Sequence, residues 1–273
     1  MLATALLTAG GVYCAVVAVM YALQRRLMYP GSEPAEPPEA AGLAGVIPVQ
    51  LAMADGVTLL AWWMPPEDGR PVVLYWHGNA GPLHCRADKF RAFGAAGYGM
   101  LMPAYRGFSG NPGKPSQPAL LRDAETIYAW LKKQTGAPLV YFGESLGGSV
   151  AMHLAAKHPP AAIILEGAFD SAGRLAQRRY PILPANRLLR DRWDNHRLAP
   201  ICPAPVLMLH GADDRTVPIG HAKRLFEALP EPKRFVTLDG TGHVDLFDHG
   251  GDAHAMDWLR EHLAATPAGP ARS

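Results

Sequence analysis

Cysteine is scarce. The chain has three, Cys14, Cys85 and Cys202, with no CxxC pair among them. That spacing offers no disulfide framework and no thiolate zinc site, so the expectation is reduced, packed thiols. No HExxH or comparable metal-ligand spacing occurs either, and no metal or other cofactor is expected. Long Lys/Arg runs and aromatic-basic stripes are missing as well. With a formal charge of only +2 in 273 residues, nothing marks a nucleic-acid binder, and no nucleic-acid partner is expected. Charge of either sign is absent from residues 2–23.

That uncharged run is the first feature that is present. As a helix it reaches about 33 Å, enough to cross a hydrocarbon core of roughly 30 Å. It lacks the basic n-region of a cleaved signal peptide and exceeds the usual apolar length of one, so residues 1–26 read as a single-pass anchor. Arg25 and Arg26 follow it, and the positive-inside rule then places the rest of the chain on the cytoplasmic side of the membrane. Residues 27–44, which include PGSEPAEPPEAAGLA, are rich in Pro and Glu and read as a tether. Residues 45–265 are long enough for one large domain, and residues 266–273 form a tail.

Within that domain two apolar runs, 46–51 and 58–64, flank Asp55-Gly56 and predict an antiparallel hairpin. Short apolar runs then alternate with helical stretches. Strands are expected near 72–77, 98–105, 139–142, 161–166, 206–210 and 234–238. This is the signature of βαβ crossovers: an α/β fold with a mainly parallel sheet of about eight strands flanked by helices. GFSGNPGKP (107–115) resembles a phosphate loop but has one residue too many between its glycines and Pro115 where Ser or Thr is required, so it reads as a plain loop.

Only seven serines occur, and one is bracketed as GESLG at 143–147, directly after a strand and before a helix. Gly at 143 and 147 would let the chain turn sharply and leave Ser145 projecting as a nucleophile. A glycine-rich turn with an incidental serine has the same local sequence, so the context decides. A base and an orienting acid should lie at other strand ends, in the order Ser, acid, His. The loop GADDRTVP (211–218) offers Asp213 or Asp214, and DGTGHVD (239–245) offers His243. An oxyanion hole needs the amide of Leu146 and a second one from HGNAG (77–81), assigned to Asn79. His77 and His210 precede glycines at strand ends and read as structural.

HGNAG, YRGFSG, GESLGG, HGADDRTVP and GTGHVD together resemble the α/β-hydrolase superfamily, over residues 45 to 265. Within it the chain is similar to membrane-anchored HGN-type serine hydrolases of the ABHD thioesterase and esterase group. The resemblance implies a Ser145-Asp214-His243 triad, with Asp214 matched by the spacing to Val217-Pro218, and an acyl-enzyme formed from acyl esters or thioesters. Small-molecule or lipid-like acyl groups are the implied substrates. Serine peptidase or acyltransferase chemistry uses the same residues, and a catalytically silent membrane-tethered interaction domain is a further alternative. The lid of this superfamily falls at about 168–203 and is short here, which predicts comparatively open strand ends. Residues 171–200 hold seven arginines against Asp191 and Asp194, either a solvated flap or a surface for anionic headgroups.

Overall fold

The computed structural model describes residues 1–67 and 69–263; the expected tail at 266–273 lies outside the described residues. Eight strands form one sheet: β1 (Ile47–Ala52), β2 (Thr58–Met64), β3 (Val72–Trp76), β4 (Gly99–Pro103), β5 (Leu139–Glu144), β6 (Ala162–Glu166), β7 (Val206–Gly211) and β8 (Lys233–Leu238). Their spatial order is β1-β2-β4-β3-β5-β6-β7-β8. The first two strands make the expected hairpin, with Gly56 at φ +82° in its turn. β2 pairs antiparallel with β4, and every later pairing is parallel.

The helices are α1 (Leu2–Met28), α2 (Ala87–Ala95), α3 (Gln117–Gln134), α4 (Leu146–Ala155), α5 (Ala172–Arg179), α6 (Ala185–Leu188), α7 (Asn195–Leu198), α8 (Ile219–Ala228) and α9 (Gly251–Leu263). Crossover helices cover both faces of the sheet, which is why its central strands are apolar throughout rather than alternating. In β3 every residue is buried. Val72, Leu74 and Trp76 face one core, shared with α3 and α4, while Val73 and Tyr75 face the other, shared with α2 and α9. Each such side chain contributes about 1.5–3 kcal/mol on burial.

α1 stands apart. Its residues 1–16 are all exposed, and by length and composition it can cross a membrane. From residue 17 on, exposure becomes periodic: Val17, Met20, Gln24, Arg25 and Met28 are half-buried, at the spacing of one helix face. The Pro/Glu-rich segment that follows is laid onto the body. Ser32 N–H donates to the Gly107 carbonyl (3.3 Å), Ser32 Oγ accepts from Ser109 N–H (2.8 Å), and Glu36 N–H donates to His84 Nδ1 (3.0 Å). Leu43 and Val46 are buried at its far end. The three cysteines are free, and Cys14 and Cys85 are exposed rather than packed.

Candidate active site

β5 ends at Glu144 and α4 begins at Leu146, so Ser145 carries the entire change of direction. Its backbone sits at φ +51°, ψ −110°, a conformation that costs on the order of 1–3 kcal/mol for a residue with a side chain. The surrounding backbone holds it there. Ser145 N–H donates to the Glu166 carbonyl at the end of β6 (2.7 Å). A Cβ at Gly147 would overlap the Trp76 carbonyl oxygen, and one at Gly143 would meet the α4 backbone at Gly148. The glycines are required by backbone packed against backbone. Leu146 is the first residue of α4, so its N–H belongs to the donors that a helix leaves without an internal partner.

The acid loop leaves the end of β7. Asp214 is buried, whereas Asp213 is exposed. Asp214 Oδ1 accepts from the Thr216 and Val217 amides, both at 2.8 Å, and Oδ2 lies 2.7 Å from His243 Nδ1. The spacing to Val217-Pro218 thus marks the aspartate that meets the histidine. His210, beneath it, donates Nε2–H to the Val217 carbonyl (2.8 Å) and holds the loop closed. At Gly211 a Cβ would overlap the Gly242 carbonyl, so the acid and histidine loops can touch only through glycine. The His243 ring packs on Gly167, where an added Cβ would be 2.9 Å from Cε1. Gly167 follows the Glu166 carbonyl that holds Ser145. The Ser145, His243 and Asp214 positions are therefore gathered at one corner, at the carboxyl ends of β5, β6 and β7. Burial works against the His243 imidazolium, but the hydrogen bond and charge of Asp214 outweigh it and raise its pKa; the buried Glu144 and Glu166 add to this.

HGNAG crosses the same corner from β3. His77 Nε2 accepts from Tyr105 N–H (3.2 Å), so Nδ1 carries the proton and donates to the Gly78 carbonyl (2.6 Å). Burial first, and then the Arg86 charge, push its pKa down to about 3; it is a neutral structural residue. Asn79 lines the cavity with Ser145 and Leu146 and donates its side-chain N–H to the Met28 carbonyl at the end of α1 (3.1 Å).

Two buried ion pairs beneath Ser145 escape a motif reading. Arg86 grips Glu144 with two nitrogens (2.7 and 2.9 Å), and Tyr75 OH donates to the same carboxylate (2.7 Å). Burial alone would raise the Glu144 carboxyl, but Arg86 and Tyr75 pull its pKa down to about 2. Lys89 reaches both oxygens of Glu166 (3.0 and 3.1 Å) with its ammonium over the Phe247 ring, yet burial keeps the Glu166 pKa raised. A third buried carboxylate, Asp170, ties the start of the flap to α8 through Arg174, His221 and Arg224. The available signal was a charged residue ending an otherwise apolar strand, as at Glu144 and Glu166.

Open strand ends, as the short lid suggested, are not what forms. Ser145 faces a cavity of about 540 Å³ whose outer walls are the flap and one face of α1. The flap is short, but α1 completes the enclosure. Arg25 makes a bidentate pair with Asp191 (both 2.9 Å), Gln24 Oε1 accepts from Arg190 N–H (2.6 Å), and Trp193 Nε1–H donates to Tyr29 OH (2.9 Å).

A strand-to-helix serine elbow, with a loop histidine held by a buried aspartate at the neighbouring strand ends of a mostly parallel eight-stranded sheet, is the α/β-hydrolase architecture. Comparison with known proteins agrees. A family model described as serine aminopeptidase, S33, matches residues 67–199. The chain is 38% identical over 235 residues to the uncharacterized protein Rv2307c of Mycobacterium tuberculosis, covering 84% of each chain. It is 31% identical over 274 residues to the alpha/beta hydrolase domain-containing protein WAV2 of Arabidopsis thaliana, covering 90% of this chain and 89% of that one. The Pyrococcus furiosus esterase Pf2001 superposes with a TM-score of 0.67 at 15% identity, over 86% of this chain and 99% of that one. The chain belongs to the α/β-hydrolase superfamily and is a hydrolase of its ABHD-like group.

Proposed function

We propose that the protein is a membrane-tethered serine hydrolase that cleaves acyl esters or thioesters. The observation that carries this reading is the 2.7 Å contact between His243 Nδ1 and Asp214, placed beside a strained Ser145 that opens into a mostly apolar cavity. His243 Nε2 takes the Ser145 proton as Oγ attacks the acyl carbonyl. The same nitrogen then protonates the leaving oxygen or sulfur. Asp214 keeps the ring oriented and stabilises the imidazolium. The Leu146 and Asn79 amides receive the oxyanion. Water repeats the sequence on the acyl-enzyme and releases the acid.

The family description suggests aminopeptidase chemistry as the rival. A free α-amino group is cationic and calls for a carboxylate close to the nucleophile. Among the described residues lining this cavity the charged ones are Arg179 and Arg215, with no Asp or Glu. That polarity favours neutral or anionic acyl substrates. Tethering through α1 and a cytoplasmic location belong to the same proposal, supported by the length of the apolar helix and by Arg25 and Arg26 at its end.

The test is kcat/KM for the full-length protein across acyl esters, acyl thioesters and aminoacyl amides. Turnover of esters and thioesters with graded chain-length preference is expected, since each methylene in an apolar pocket is worth about 1–3 kcal/mol. Cleavage of the amides with no turnover of any ester would replace this reading by the aminopeptidase one.

A further inference from the structure

Two cavities lie along the seam between α1 and the flap. The first holds Ser145. The second, about 370 Å³, lies farther up the same seam against Tyr13, Cys14 and Pro184, and presents only apolar surface. Val17, Tyr21 and Leu188 line both. An apolar track thus continues from the nucleophile along α1, and from Met28 to Tyr13 the helix covers about 22 Å. This stretch overlaps the part of α1 long enough to lie in a bilayer.

The flap tip that borders the upper cavity is built unlike a water-exposed loop. Its sequence is Pro181-Ile182-Leu183-Pro184, and Ile182 is 78% exposed. Two of the four residues have no N–H to satisfy. The carbonyls are all occupied. Gln177 Nε2 donates to Pro181 (3.1 Å) and Leu183 (2.8 Å), Tyr13 OH donates to Ile182 (2.9 Å), and the Arg187 and Leu188 amides donate to Pro184 (3.0 and 3.1 Å). Of the two remaining N–H groups, that of Leu183 donates to the Tyr180 carbonyl (3.1 Å) and that of Ile182 has no protein partner among the described residues; backbone that meets hydrocarbon must have its polar groups satisfied within the protein, and all but one of the tip's are. Arg178, Arg179, Arg187 and Arg190, all exposed, flank the tip in sequence on both sides, and arginines so placed can reach anionic headgroups.

Resting on the acyl-hydrolase reading above, we infer that the flap tip is a second membrane-embedded element and that the seam between it and α1 is a lateral entry. Through it the acyl chain of a bilayer-resident amphiphile reaches Ser145 without passing through water. α1 is then a substrate-binding wall as well as an anchor. Val17, Met20 and Tyr21 would read acyl length. The carbonyl carbon sits at Ser145 and the chain end points up the seam toward Tyr13.

The deciding experiment uses full-length protein in phospholipid vesicles and a fluorophosphonate carrying a long alkyl chain with a diazirine near its end. After labelling and irradiation, peptides are mapped by mass spectrometry. The phosphonate is expected on Ser145 and the diazirine insertion on residues 13–21 of α1 or 180–188 of the flap. Phosphonate on Ser145 with insertion only elsewhere overturns the entry route and leaves the hydrolase reading intact. Failure to label Ser145 at all removes the hydrolase reading on which the route rests. Ile182→Asp adds a second readout. It should lower kcat/KM for a long-chain acyl ester in vesicles by about 10–100-fold, because a carboxylate facing hydrocarbon is strongly disfavoured. A water-soluble short-chain ester should be turned over as before. Equal rates on both substrates relative to the parent protein would contradict the membrane-embedded tip.

Discussion

The candidate catalytic corner and the pocket wall meet at Ser145 and are held by different physics. At the corner, backbone lies against backbone. Gly147 touches the Trp76 carbonyl, Gly211 touches Gly242, and Asp214, Glu144 and Glu166 are all buried with a charged or imidazole partner. At the wall, α1 meets the flap through side chains that are mostly half-exposed: Tyr13 to Ile182, Gln24 to Arg190, Arg25 to Asp191. A corner of the first kind permits one geometry and suits bond-breaking. The upper part of such a wall, above the buried Asp191 and Trp193 that fix its base, can part and reclose at lower cost, which suits admitting a substrate. Substitutions should therefore separate into two groups, those that stop chemistry and those that alter which substrate enters.

The largest effect is expected for Ser145→Ala, which should cut kcat on any acyl ester by about 10⁶ while leaving the thermal unfolding transition almost unmoved. Asp214→Asn comes next. It leaves the ring without its orienting charge, and kcat should fall by about 10⁴. Asp213→Asn, on an exposed side chain of the same loop, should retain parental activity; the reverse ranking would shift the acid by one residue.

Glu144→Gln acts on stability as well as rate. It leaves Arg86 buried without its carboxylate, and loss of one partner of a buried pair costs about 3–5 kcal/mol, to be read from denaturant unfolding. The sign of the pH dependence follows from the same group. The Glu144 pKa is lowered from 4.5 to about 2, so its stabilisation is fully present above pH 4.5 and fades as pH falls toward 2. His243 behaves oppositely. Its pKa is raised, and the base must be neutral to act, so the acid limb of the kcat/KM profile should lie above the ordinary histidine value of 6.5. In Asp214→Asn the residual activity should show that limb moved to lower pH.

The smallest effect belongs to the wall. Tyr13→Phe removes one donor to the Ile182 carbonyl, worth about 0.5–1.5 kcal/mol. Faster amide exchange in residues 180–188, with unchanged kcat on a soluble short-chain ester, is the expected result. A loss of kcat on that ester would mean that wall and corner are not separable in the way their contacts indicate.

The two regions also differ in how far the sequence disclosed them. Strand positions, the mainly parallel sheet and the hairpin at Asp55-Gly56 were legible, because apolar runs and turn residues recur at spacings that particular elements demand. The spacing to Val217-Pro218 likewise pointed to the aspartate that contacts His243. The enclosure was not. Short-lid reasoning pointed to an open site, because nothing in the spacing of Val17, Met20 and Gln24 says that the apolar helix turns that face to a flap more than 150 residues later. The pairs Arg86–Glu144 and Lys89–Glu166 were hidden likewise, since a charged side chain in an amphipathic helix looks the same whether it meets water or a buried carboxylate.

The central claim is that Ser145 is a nucleophile activated by His243, and active-site mass spectrometry tests it most directly. Full-length protein and its His243→Ala variant are each treated with a simple fluorophosphonate, digested and mapped. The account predicts a single adduct on Ser145 in the parent protein and none, over the same time, in the folded variant. An adduct on another residue, no adduct on the folded parent protein, or equal labelling of the variant would contradict it.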